Sequence, residues 1–190
     1  MSSVVVGMDE VGRGSWAGPL FVGAVILGKP IPGLRDSKLL TRQQREKLDP
    51  LIRDQAEAFA LGVVSHSEID ELGLTAATRI AYERAIAGIT VEYDEIIIDG
   101  SYSYLATNDK ARTIIGADRS VAAVSAASII AKVARDELMR SLSRDYPAYG
   151  FDRHVGYGTA FHASALRTYG LCDIHRRSFK PVRSALKAGA

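Results

Sequence analysis

A continuous β-branched run, Val4-Val5-Val6, leads within a few residues into two adjacent acids, Asp9 and Glu10. Such a run suits a strand buried on both faces, and ionised acids directly after a buried strand are costly without partners. The chain is therefore constrained to a fold in which an inner strand delivers carboxylates to a place where something compensates them. Residues 20–27 form a second β-rich run, closed by the turn composition Gly28-Lys29-Pro30. Residues 11–19 between the two runs hold three glycines and a proline, which predicts a hairpin around a functional loop.

Helical signals follow. Thr41 with Gln44 is a capping box opening a short helix, and Asp49-Pro50 predicts the start of a second. Residues 59–64 read as a third strand. Ser65 with Glu68 is another capping box, with Gly73 as its stop, and Ala77, Ile80, Ala81 and Ala85 then recur at helical spacing up to Gly88. Residues 95–99 (EIIID) are a short apolar strand ending on Asp99, and residues 112–117 are a weaker strand followed by Asp118. Residues 120–144 are rich in Ala and Ser and apolar most of the way round, which predicts a buried helix. Residues 149–159 are too irregular for a strand, and 159–169 read as a short helix ended by Gly170. The order of elements predicts an α/β protein with a mixed sheet.

Composition narrows the class. A 190-residue chain that is 47% hydrophobic supports one domain with a sizeable core, and a net charge of +2 excludes a strongly basic nucleic-acid coat. The single cysteine, Cys172, excludes an internal disulfide framework. The N-terminus lacks signal-peptide character, and apolar stretches such as 96–98 are far too short to span a bilayer. A cytoplasmic protein without a membrane partner is expected.

The chemistry lies in the placement of acids. Strand ends in open α/β sheets are where ligands collect; if the first and fourth strands lie side by side, Asp9 and Asp99 meet. Oxygen donors without a neighbouring His or Cys favour a hard ion, Mg²⁺ or Mn²⁺, and two such ions about 3.5–4 Å apart can hold the attacking water and the leaving oxygen of a phosphodiester. Taken singly, Asp118 fits a helix cap equally well, and Asp99 before Gly100 fits turn chemistry. In Gly12-Arg13-Gly14 the glycines let backbone N–H groups approach a ligand while the guanidinium holds a phosphate; a plain turn with a solvated arginine is the alternative. The four histidines, His66, His154, His162 and His175, lack spacing for a joint zinc site. Trp16 could stack on a base but is expected to pack on the sheet; Tyr102 and Tyr104 are expected to be exposed; His175-Arg176-Arg177 could face phosphate or be a solvated basic cluster; and Cys172 has no base adjacent in sequence.

The motifs together resemble the ribonuclease HII family (type 2 ribonuclease H). DEVGRG at 9–14, Asp36-Ser37-Lys38, Ile98-Asp99-Gly100, Asp118 followed by Ser125-Ala126-Ala127-Ser128-Ile129 and Ala131-Lys132, then Tyr146-Pro147, Gly150-Phe151, Gly156-Tyr157-Gly158-Thr159 and His175-Arg176 with Ser178-Phe179 occur in that family's order. The resemblance implies a ribonuclease H-like fold: a mixed sheet of about five strands flanked by helices over residues 1–145, with a small C-terminal helical appendage over 146–190 packed on it. It implies that Asp9, Glu10, Asp99 and Asp118 bind two divalent ions, Mg²⁺ or Mn²⁺, and are catalytic. It further implies that Gly12, Arg13 and Gly14 read the 2′-hydroxyl and backbone at an RNA–DNA junction, that Tyr157 packs against the neighbouring deoxyribose, and that Lys38 holds a phosphate. The expected activity cuts RNA–DNA hybrids, and DNA duplexes with embedded ribonucleotides, on the 5′ side of the ribonucleotide, leaving 3′-hydroxyl and 5′-phosphate ends. Val155 stands where the family usually has lysine, removing one phosphate contact, and Ser101 stands where asparagine is common. Residues 182–190 lack the paired aromatics of a sliding-clamp motif, so no clamp partner is expected, and the protein is expected to be a monomer. A junction resolvase or transposase-like nuclease also clusters acids but needs no reader of a 2′-hydroxyl. A non-catalytic binding module would keep its affinity when metal is chelated.

Overall fold

A computed structural model describes residues 3–34 and 39–187. Its five strands run in the order β3-β2-β1-β4-β5. The middle strand, β1 (Val5–Val11), pairs antiparallel with β2 (Leu20–Leu27), as the hairpin reading predicts, and parallel with β4 (Glu95–Asp99). The strand β5 (Ala111–Ile114) joins β4 in parallel, and β3 (Ala56–Val64) forms the other edge. The sheet is mixed, and the Val-rich start of β1 reads as a buried run because a middle strand is covered on both faces.

The long helix α4 (Ala122–Asp145) packs close enough to touch the sheet backbone. Two glycines make this possible. A Cβ added at Gly7 would lie 2.1 Å from the carbonyl carbon of Ala123, and one at Gly23 would lie 2.3 Å from the carbonyl oxygen of Ala127. Val124, Ala126, Ala127, Ile129, Ile130 and Ala131 are all buried, which accounts for a helix apolar most of the way round. The helix α3 (Leu74–Ala87) covers the other face: Asp9 bonds to Ser128 of α4 while its neighbour Glu10 bonds to Tyr82 of α3, and successive strand residues point to opposite faces.

The capping boxes are both made. Thr41 and Gln44 open α1 (Arg42–Gln55), and Ser65 and Glu68 open α2 (His66–Leu72), which stops at Gly73 with φ 79°. One expectation fails here. No second helix begins at Asp49-Pro50; α1 continues through Pro50. Leu48 and Ile52 on either side are buried against Val25, Ile129 and Val133, and that burial holds the helix across a residue that cannot donate a backbone hydrogen bond.

By its contacts the chain forms two compact units. The first comprises Met1–Val11, Phe21–Val63 and Arg79–Val133, and the second Gly12–Leu20, Val64–Thr78 and Ala134–Ala190. The second has its own core, in which Met139, Phe151, Leu166 and Ile174 pack around Tyr149. Its short helices are α5 (Phe151–His154), inside the stretch read as irregular, α6 (Ala160–Tyr169), capped by Thr159, and α7 (Lys180–Lys187). No described helix is long and apolar enough to cross a membrane.

Candidate active site

The register of the parallel pair decides where the acids fall. Met8 stands opposite Ile98, so Asp9 and Asp99 follow at the same end of neighbouring strands. On the far side of β4, Asp99 pairs with Ile114 of β5, and the chain then turns through a short 3₁₀ segment, Ala117–Arg119, that carries Asp118. The Asp99 carboxylate is tied to that turn, accepting from the Ala117 amide at 2.8 Å. Ser125 on α4 steadies it by donating to the Asp118 carbonyl at 2.6 Å. One carboxylate oxygen from each of Asp9, Asp99 and Asp118 lies within 4.8 Å of the other two.

Three acids so close are an electrostatic problem that the protein only partly solves. Asp9 accepts from the Glu10 amide at 2.8 Å and bonds to Ser128. These bonds are outweighed: burial, helped by the charges of Glu10 and Asp99, pushes the Asp9 carboxyl up to about 7. A cation among the three oxygens would relieve that repulsion, and with carboxylates as the only donors the set fits a hard divalent ion.

Glu10 is not one of the three. It faces α3, where Oε2 accepts a 2.5 Å hydrogen bond from the hydroxyl of Tyr82. Tyr82 is fully buried and stacks on Tyr104, with ring centroids 5.1 Å apart. Tyr104 is therefore buried, against the expectation of exposure, while Tyr102 is exposed. Sequence reasoning passed over Tyr82. The available signal is a tyrosine one position from the Ala81–Ala85 stripe, on a helix face whose burial obliges its hydroxyl to find a partner.

In the second unit Arg13 and Gly14 are exposed at the turn after β1, Gly12 is buried beneath them, and Tyr157 is half-buried. Lys38, with Asp36 and Ser37, lies outside the described residues. Trp16, expected to pack on the sheet, packs in the core of the second unit; its ring is tilted against His162 at 5.4 Å and covers Gly158. The solvated-cluster reading is corrected for His175 and Arg176, which are both fully buried, while Arg177 is exposed.

Three of the scattered histidines meet. His162 Nε2 and His175 Nε2 are 3.0 Å apart, and the rings of His154 and His162 stack at 4.7 Å. Their partners fix the tautomers. His162 Nδ1 faces the Tyr157 carbonyl and must donate, so its Nε2 accepts from His175, whose Nδ1 then accepts from the Cys172 amide at 2.9 Å. His154 donates to the Tyr149 carbonyl and accepts from the Gly156 amide. With each ring nitrogen so engaged, the group forms a buried neutral network, not a metal site. Cys172 does have a base nearby, His175 Nδ1 at 3.1 Å from Sγ, yet burial pushes the thiol up to about 11, which is wrong for a nucleophile.

A mixed five-stranded sheet flanked by helices, with three carboxylates gathered at one end of it, defines an α/β protein with an acid cluster that fits a divalent cation. The family model for ribonuclease HII matches residues 6–182. The ribonuclease HII of Chlamydia caviae is 48% identical over 187 residues, covering 97% of this chain and 87% of that protein. The crystal structure of ribonuclease H2 from Pyrococcus horikoshii superposes with a TM-score of 0.80 at 28% identity, covering 97% of this chain and 98% of the other. Bst-RNase HIII, solved in complex with Mn²⁺, shares the fold with a TM-score of 0.75 at 24% identity, covering 99% of this chain and 70% of that one. The chain belongs to the ribonuclease HII family: its fold is ribonuclease H-like, and it is a metal-dependent type 2 ribonuclease H, a hydrolase of phosphodiester bonds.

Proposed function

We propose that the protein is an endoribonuclease that cuts on the 5′ side of ribonucleotides, both in RNA–DNA hybrids and where single ribonucleotides are embedded in duplex DNA, leaving 3′-hydroxyl and 5′-phosphate ends. Such an activity serves ribonucleotide removal and RNA primer removal. The observation that carries this reading is the meeting of Asp9, Asp99 and Asp118 within 4.8 Å at the strand ends. These three acids, with Glu10, are the residues to hold two divalent ions, Mg²⁺ or Mn²⁺; the Mn²⁺ bound by Bst-RNase HIII supports that chemistry on this fold. When bound, divalent cations stabilise the negative charge that builds on the phosphate oxygens during hydrolysis.

The chain's own residues do the rest. Asp99 is held by the Ala117 amide and Asp118 by a turn that Ser125 fixes, so both carboxylates are oriented before a ligand arrives. Tyr82 fixes the Glu10 carboxylate by donating to Oε2. Gly12, Arg13 and Gly14 are assigned to the 2′-hydroxyl and the backbone, Tyr157 to the adjoining deoxyribose and Lys38 to a phosphate. A 2′-hydroxyl is the one group that tells RNA from DNA at a given site, and backbone groups read it whatever the base.

The test is a labelled DNA duplex carrying one ribonucleotide, incubated with and without Mg²⁺ or Mn²⁺. A metal-dependent nick on the 5′ side of the ribonucleotide is expected. Cutting only within long RNA–DNA hybrids would overturn the role given to the Gly12–Gly14 loop, and cutting that survives chelation would overturn the metal assignment.

A further inference from the structure

Two buried guanidinium groups hold the backbone of the second unit from within. Arg135, on α4, is fully buried and spreads its donors over two stretches far apart in sequence. Nε donates to the Pro19 carbonyl at 2.9 Å, one terminal nitrogen to the Val155 carbonyl at 2.9 Å, and the other to Ser15 Oγ at 2.7 Å and the Ala17 carbonyl at 3.2 Å. Arg176, also fully buried, donates to the Gly18 carbonyl and to the Arg13 carbonyl, each at 3.0 Å. These acceptors are uncharged: five carbonyls and one hydroxyl. Burying a cation against such partners is costly, and an arginine that served only to fill space would not need its fork aimed at two loops.

Three further features tie the pair to the substrate-reading segments. Gly12, with φ 86°, passes directly over Arg135, and a Cβ there would lie 2.1 Å from Nε. The guanidinium carbon of Arg135 sits 5.5 Å from the centre of the Tyr157 ring. Because the carbonyl of Arg13 is turned inward to Arg176, the amide N–H of Gly14 in the same trans peptide points the other way, and Gly14 is exposed. The fork thus aims a backbone donor outward before any nucleic acid is bound.

We propose that Arg135 and Arg176 are positioning residues for ribonucleotide recognition: they lock the 12–20 loop and the 155–157 turn in one arrangement, so that the Gly14 amide and the Tyr157 ring meet the nucleic-acid backbone together. This inference rests on the reading that Gly12–Gly14 and Tyr157 contact the substrate. Lysine at either position keeps the charge but cannot serve several fixed acceptors at once.

The experiment uses a duplex in which one strand carries four consecutive ribonucleotides flanked by DNA, and reads the ratio of cuts at the RNA–DNA junction to cuts inside the run. That ratio does not depend on how much of the enzyme is folded, so a merely structural role leaves it unchanged. Arg135→Lys and Arg176→Lys should each shift it by about tenfold, and Ser15→Ala, which removes one acceptor and little packing, by about threefold in the same direction. If the lysine variants fail to fold, Ser15→Ala decides the matter. An unchanged ratio in every variant that still cuts would overturn the proposal. Arg13→Ala separates the two levels: a shift there without one in the others removes only the positioning role, whereas no shift there removes the substrate-reading role on which it rests.

Discussion

The two units bury charge to opposite ends. At the end of the sheet, three carboxylates converge, and burial, helped by the charges of Glu10 and Asp99, holds the Asp9 carboxyl up at about 7. In the second unit, two guanidinium groups and three imidazoles are buried with their nitrogens aimed at backbone groups and at one another. The first arrangement is destabilising until something outside the chain completes it, whereas the second is completed by the chain itself at every nitrogen but one terminal nitrogen of Arg176, which is buried without a hydrogen-bond partner. Where charge is meant to meet a ligand the fold tolerates strain, and where charge holds backbone the fold satisfies nearly all of it.

The sharpest way to break this contrast is Asp9→Asn. Loss of one ligand to a divalent-cation centre forfeits several kcal/mol of transition-state stabilisation, so turnover on an RNA–DNA hybrid should fall by about a thousandfold or more. The metal-free protein should move the other way. A carboxyl whose folded pKa lies above its unfolded value loses stability as pH rises through the folded value. At pH 8 the variant should therefore melt about 2–4 °C higher than the parent, for a relief of roughly 1 kcal/mol. A metal-free melting point that falls would mean that the acids are not in conflict.

Acid should separate the two regions further. Burial lowers His162 and His175 to about 4 from an ordinary 6.5. Their neutral forms give stability that is complete above pH 6.5 and is lost as the pH falls toward 4, because the unfolded chain takes up protons first. Asp9 contributes the opposite slope, gaining stability as the pH falls from 7 toward 3.8. Thermal melts from pH 7.5 to 4.5 should thus show a steeper decline in Asp9→Asn than in the parent, the histidine pair contributing on the order of 3 kcal/mol. Parallel curves would count against the shifted Asp9.

How far these regions are legible in sequence follows the range of the interactions. The EIIID strand, both capping boxes and the buried Ala-rich helix all declare themselves within a dozen residues, and each stands where the pattern puts it; the first strand does too, except that it runs on through Asp9 and Glu10 to Val11. Pro50 misleads because its local signal is overridden by the burial of Leu48 and Ile52. The opposite facing of Asp9 and Glu10 is implicit in the two-residue period of a strand, yet what each meets depends on helices far along the chain. The second unit is harder still. His154, His162 and His175 look scattered, and Arg176 looks solvated, because only tertiary packing brings the rings together and turns the guanidinium inward.

Tyr82→Phe probes how far the acid centre relies on the chain for orientation. The substitution keeps the ring stacked on Tyr104 and deletes only the hydroxyl that holds Glu10. Groups that orient metal-binding carboxylates are worth about 10–100-fold in affinity or activity. The expected outcome is a fall of about tenfold in Mn²⁺ affinity by calorimetric titration, with little change in the melting point. Unaltered Mn²⁺ binding would show that Glu10 needs no such support.

The smallest expected effect concerns a strained backbone position in the second unit. Val155 has φ 44°, a left-handed conformation that a β-branched residue rarely adopts. Such a backbone costs about 1–2 kcal/mol, and it persists because Arg135 accepts no alternative: its terminal nitrogen holds the Val155 carbonyl at 2.9 Å. Glycine adopts this conformation without penalty but adds freedom to the unfolded chain. Val155→Gly should therefore raise stability by no more than about 1 kcal/mol, read as a small increase in urea midpoint at constant slope. Combined with Arg135→Lys, the gain should vanish, because the turn would no longer be forced. Equal gains in both backgrounds would show that the strain at Val155 is set by its own short helix and not by the guanidinium beneath it.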